Sequence, residues 1–159
     1  MYQILTSVNE REVYYFDLAD GLIELDKMQL SNWIVFVIVD VIEEPIVLPF
    51  VDLCIEKGVV YACASGKAAI QIEDMFDLNV VTREIEKRPS LSWYSNEEDV
   101  LMTTSHNSIE EGFWFSTVVA RYENMALNTV VVANLTRKDL FPKFAKLSEQ
   151  INSGWTPTD

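Results

Sequence analysis

His106 is the only histidine in the chain and follows Thr104-Ser105, so the first chemistry to consider is proton transfer between a hydroxyl and an imidazole. If Ser105 or Ser65 met His106 with Asp40 behind the ring, the imidazole would take the hydroxyl proton while the carboxylate fixed its tautomer. Neither serine sits in a Gly-x-Ser-x-Gly elbow, and a histidine just before a helix is more often a loop residue bonded to backbone. Ser65-Gly66-Lys67 precedes a helical pattern, where free backbone N–H groups and the helix dipole favour an anion. It lacks the glycines of a Walker loop or a dinucleotide fingerprint, so the commoner reading is a plain turn with Ser65 as N-cap. Asn134 with Thr136 forms a further polar cluster, and the residues placed to touch a ligand are Gly66, Lys67, Thr104 and Thr136. Glu73, Asp74 and Asp77 read as a solvated helix face, and Glu110-Glu111 suit the positive end of a helix.

One histidine and no Cys-x-x-Cys leave a transition-metal site few ligands, and no cofactor or metal is expected. Cys54 and Cys63 lie among apolar neighbours and read as buried thiols acting as small hydrophobes, not as a disulfide or redox pair. Three aromatics in a row, Phe113-Trp114-Phe115, cannot all face one core from a helix, so one should emerge on another side. These three, with Trp93 and Tyr94 in a polar stretch, are the candidate interface residues, since large aromatics anchor interfaces.

The polar clusters meet only if the elements before them end at one edge. Asn32 to Asp40 holds seven consecutive apolar residues with no polar alternate face, the pattern of a strand covered on both sides. Val47, Phe50, Val51, Cys54 and Ile55 then recur at helical spacing, Pro45 and Pro49 fall near the helix start, and Gly58 is the expected left-handed stop. Strands over 59–64, 100–104 and 129–135 alternate with helices after Lys67, after Ser108 and before Gly154. Ser108 with Glu111 has the spacing of a capping box. This alternation predicts a single-domain α/β fold over residues 1–159: a three-layer sandwich on a mostly parallel sheet of at least four strands, Rossmann-like or flavodoxin-like. Residues 1–31 read as an edge or cover with up to two extra strands and a helical turn, 32–153 as the strand-helix core, and 154–159 as a tail. In such a sheet a ligand sits beyond the carboxyl ends of the strands, which is where Asp40, Ser65, His106 and Thr136 fall.

Composition narrows the partners. The formal charge of −13, from 25 acidic and 12 basic residues, opposes binding to nucleic acid or anionic lipid. No apolar run reaches the roughly 18 to 20 residues that cross a bilayer, and no secretion signal opens the chain, so a cytoplasmic protein is expected. Met102-Thr103-Thr104-Ser105-His106, with Glu110-Glu111 and Phe113-Trp114-Phe115, resembles a segment of the form Met-Thr-Thr-x-His, Glu-Glu, Phe-Trp-Phe in a group of small uncharacterised bacterial proteins. Gly58 to Gly66, followed by Glu73-Asp74 and Asp77, is similar to their second strand and helix, while Ser105 stands where their pattern has tryptophan. No activity comes with the resemblance. It implies a bacterial cytosolic origin and that Thr103, Thr104, His106 and Glu111 are the residues to test first. The leading reading is a non-catalytic interaction domain, an acidic immunity-type or regulatory partner of a basic protein. The alternatives are a small-molecule or hydrolase site around His106 and a homodimer through Phe113-Trp114-Phe115.

Overall fold

A computed structural model describes residues 2–17, 21–89 and 91–158. Its centre is β3 (Trp33–Ile38), buried along its whole length as an unbroken apolar run demands. On one side lies β6 (Thr129–Asn134), equally buried, and on the other β4 (Tyr61–Ser65), both parallel to it. Beyond β4 the sheet ends in β5 (Met102–His106), and beyond β6 it continues through β2 (Arg11–Asp17) to β1 (Gln3–Val8). The order is β1-β2-β6-β3-β4-β5, with five strands parallel and β1 antiparallel.

Three helices cover one face: α1 (Gly21–Lys27), α2 (Glu44–Glu56) and α3 (Ala69–Ile85). The other face carries α4 (Ile109–Trp114), which runs on as a π-helical stretch over Phe115–Val119, and α5 (Phe141–Asn152). The path from β3 to β4 to β5 moves outward in one direction with helices on one face. The path from β5 back to β6 moves the other way over the other face, as crossovers of one hand require. Taken in chain order the parallel strands lie first, fifth, second, third, fourth. That is neither of the two doubly wound orders expected from sequence, although the three layers are those of that class.

The described residues before β3 supply one edge of the sheet and a strand inside it. Asn9 and Glu10 both take positive φ, the two-residue turn that suits a hairpin, and the returning strand β2 pairs along its length with β6 inside the sheet. Two observed strands begin and end later than predicted. β4 includes Ser65 and β5 includes His106, so both polar residues are the last residues of strands and not part of loops. Pro49 falls in the interior of α2, past the first turn, and leaves the carbonyl one turn back without its helical donor. Gly58, at φ +72, is the left-handed stop expected after α2. Trp155 packs against the α5 face, which ties down the start of the predicted tail.

Candidate functional site

Side chains alternate between sheet faces, so Ser105 and His106 point opposite ways and cannot bond to each other. Ser65 does share a face with His106 and pairs with it in register, but its hydroxyl donates to the Ser108 carbonyl at 2.8 Å, beneath the start of α4. That corrects its assignment as an N-cap of α3, whose cap position is Ala68. Asp40 is engaged elsewhere too. Its Oδ1 accepts from the Lys67 backbone N–H at 3.1 Å, and Lys138 lies 3.9 Å from its other oxygen. The carboxylate thereby takes up a backbone N–H of the turn that an external anion would otherwise use, in line with a plain turn there. Gly66 is held there at φ +105, with Val39 backbone oxygen 2.3 Å from where a Cβ would stand.

His106 has different partners. Its Nε2 is 2.9 Å from the Thr104 hydroxyl and its Nδ1 is 3.2 Å from Glu111 Oε1, while the ring stacks 4.7 Å from that of Phe115. This is a hydroxyl–imidazole–carboxylate chain, assembled from Thr104 and Glu111 in place of serine and Asp40. The i, i+2 spacing puts Thr104 on the same face of β5 as His106, and α4 brings Glu111 down beside them. Ser108 accepts from the Glu111 N–H at 3.0 Å, so half of the capping box forms; the Glu111 carboxylate turns to His106 instead of completing it. Only 6% of the His106 side chain is exposed, against 44% for Glu111. Thr103, on the opposite face, bonds Asp77 of α3 at 3.1 Å.

At the strand-end rim, Asn134 is fully buried and satisfied on every side. It donates to Tyr15, Asp17 and the Lys138 carbonyl, and accepts from the backbone and hydroxyl of Thr136. Burial, and then the bond to Asp17, holds Tyr15 well above the usual tyrosine range, so it stays a donor. Thr136 also lines a cleft of about 540 Å³ with Asp17, Glu43, Ile46, Arg137 and Lys138. This cleft lies between β6 and β3, whose following helices go to opposite faces, the place where the strand order reverses. The four candidate ligand-contact residues thus sit at three separate places: Gly66 and Lys67 after β4, Thr104 within β5, Thr136 after β6.

Of the aromatic candidates, Phe113 is fully buried between Phe36 and Phe144 and has no surface to offer a partner. Trp114 and Phe115 are half-buried, and Trp93 stacks edge-on between Tyr94 and Tyr122 while donating to the Val59 carbonyl at 2.9 Å. The hydroxyls of Tyr94 and Tyr122 accept from the N–H groups of Leu101 and Val100, so this trio fastens the polar connection to the entry of β5. No group of three His, Cys, Asp or Glu among the described residues is arranged to hold a metal ion. Likewise no helix among them is long and apolar enough to cross a membrane.

The feature that sequence reading passed over lies on α3 and β5. Ile70, Leu78, Val81 and Ile85 fall within about 80° of one another at 100° per residue, on the side opposite the buried Ile72 and Phe76. They are 47% to 76% exposed. Glu73, Asp77 and Glu84, spaced four and seven apart, line the flank that Thr103 touches. Beside them β5 is a sheet edge. Met102 N–H bonds Val60, so the N–H and C=O groups of Thr103 and Ser105 point away from β4 into the open. The strand bears no charge, proline or bulge of the kind that blunts an edge. The signal in sequence was the surplus of apolar residues on a helix already supplied with an inward stripe.

Fold and site together define a three-layer α/β domain whose strand-end rim carries polar groups largely bonded to one another, with an acid-flanked edge at β5. The chain belongs to the family described as a domain of unknown function (DUF7684), whose model matches residues 13–151, in keeping with the resemblance to an uncharacterised group. No curated protein matches the chain.

Proposed function

We propose that this domain binds a basic protein segment along the outer face of α3 and the free edge of β5. The observation that carries it is the exposed line of Ile70, Leu78, Val81 and Ile85 beside the carboxylates of Glu73, Asp77 and Glu84. An apolar stripe left in water on a helix whose core face is complete is surface kept for contact. The carboxylates state the sign of the partner: lysines and arginines flanking apolar anchors match them, whereas a second copy of this chain would set like charges against each other. An immunity-type or regulatory role toward a basic effector belongs to this reading.

The hydroxyl–imidazole–carboxylate chain at His106 is read as a tie and not as a hydrolytic centre. Both ring nitrogens are engaged, the ring is covered by Phe115, and the clefts at the rim and at the opposite end of the sheet are lined by other residues. The test is retention of proteins from source-cell lysate by the immobilised chain and by a V81D/I85D variant, at low salt and at about 0.5 M, where screening shortens to a few ångströms. A basic protein held by the native chain alone and released by salt supports the proposal. No such partner, or equal retention by the variant, counts against it.

A further inference from the structure

The chain has five arginines, and three of them, Arg83, Arg88 and Arg137, lie within ion-pair distance of carboxylates. The other two, Arg11 and Arg121, make no ion pair among the described residues, and both line one cleft of about 530 Å³. It opens at the end of the sheet opposite the rim, between the hairpin turn at Asn9-Glu10 and the loop 121–128. In a protein with 25 acidic side chains this pairing of like charges is unusual.

Arg11 is only 6% exposed. Its guanidinium donates to the carbonyls of Ser116 and Ala120, which close the end of the π-helical stretch. Neutral carbonyls orient the group without cancelling its charge, although the helix end there is itself partly negative. Burial, and next the charge of Arg121, holds Arg11 below the usual arginine value, a sign that the two cations feel each other. Three asparagines, Asn9, Asn124 and Asn128, line the same cleft with further amide groups. One carboxylate, Glu10, is on its wall and pairs with neither arginine. A buried guanidinium held in place by backbone carbonyls at the wall of a cleft, with a second arginine lining the same cleft, supplies donors and charge suited to an oxyanion.

We infer that this cleft binds a small molecule through an oxyanion, a carboxylate or a phosphate, with Arg11 and Arg121 as its two cationic contacts. The size suits a metabolite and not a polymer. The net charge of −13 suppresses loose anion binding elsewhere, so a saturable signal reports this place. Calorimetric titration with inorganic phosphate and with succinate, in chloride of matched ionic strength, separates the two chemistries. Saturable binding of either at one site per chain is expected, weakened about tenfold in Arg121→Gln, the loss of one charge-assisted contact. Arg137→Gln, which removes an exposed arginine at the other end of the sheet, is expected to bind as the native chain does. No saturable heat with either probe, or unchanged affinity in Arg121→Gln, overturns the inference. Because Arg121 is exposed and bonds no core group, the variant folds and the comparison stands even if Arg11 variants do not.

Discussion

Cys63 lies fully buried in β4, and burial pushes its thiol up to about 12, with a bond from Thr104 and the charge of Arg11 offsetting only part of the rise. Cys54, buried in α2, is raised well above the usual thiol value by burial alone. A thiol raised this far stays protonated at pH 8, and the thiolate is the form that reacts. Both cysteines are expected to resist iodoacetamide in the native chain for hours and to react at once in denaturant; mass-detected labelling of the native chain would contradict this burial. The glycines make a sharper prediction. A methyl at Gly112 would stand 2.4 Å from the Ser65 hydroxyl and 2.5 Å from the Phe36 ring, because α4 lies directly on the sheet there. At Gly66 it would meet the Val39 carbonyl oxygen at 2.3 Å, from a backbone already at positive φ. Side chains yield by small shifts and a backbone carbonyl does not, so Gly112→Ala should cost about 1–3 kcal/mol and Gly66→Ala about 2–4 kcal/mol. Urea unfolding of the two variants measures the difference, and the reverse order would show that α4 is held more rigidly than the Val39 backbone after β3.

The edge position of β5 has a consequence for backbone chemistry that proline can read. Thr104 N–H points into the ladder with β4, while Ser105 N–H points out, as the bond from Met102 to Val60 fixes by alternation. Ser105→Pro removes only the outward donor and is expected to fold with a Tm within a few degrees of the native chain. Thr104→Pro removes a ladder bond and the His106 partner together and is expected to lose cooperative unfolding. If a basic partner is found, Ser105→Pro should also weaken it, a loss that α3 variants would not explain. How far the elements could be read ahead depends on how local their cause is. The stripe of Val47, Phe50, Val51, Cys54 and Ile55 specifies α2 within one stretch of chain, and the apolar run of β3 announces a covered strand. By contrast, β2 is drawn into the sheet by β6, its pairing partner from the far end of the sequence, and no local pattern marks that. For the same reason the resemblance pointed to Thr103, Thr104, His106 and Glu111, of which Thr103 faces the other side, while residue spacing pointed to Ser105 or Ser65 and Asp40. Strand alternation and the docking of α4, both properties of the folded sheet, decided which would meet.

Across the whole molecule, the surplus of 13 negative charges at neutral pH opposes compaction, and the ion pairs set against it among the described residues are few and mostly half in water. The best buried is Arg83, 6% exposed, which joins Asp52 of α2 to Asn79 of α3 and to the Pro89 carbonyl. Burial pulls Asp52 up, but the bonds from Arg83 and Asn79 and the charges of Arg83 and Arg88 outweigh it, so its pKa lies below the ordinary 3.8. Glu110 is likewise held below its ordinary 4.5, chiefly by its bond to Lys143. Groups lowered in the folded state add stability above their unfolded values, and that stability is lost as pH falls through the folded values. Two opposed trends follow. From pH 7 toward the isoelectric point near 4.4, protonation of exposed carboxylates relieves self-repulsion and the Tm is expected to hold or rise. Below about pH 3.8 Asp52 and Glu110 lose their partners and the Tm is expected to drop steeply. At pH 7, raising sodium chloride from 20 to 500 mM screens repulsion over the whole surface and weakens only a handful of exposed pairs, so the Tm should rise by a few degrees. Scanning calorimetry along both axes is the check. A Tm that falls with salt at pH 7 would mean that the exposed pairs outweigh the net charge, and the carboxylates along α3 would then belong to a stabilising network instead of standing free for a partner.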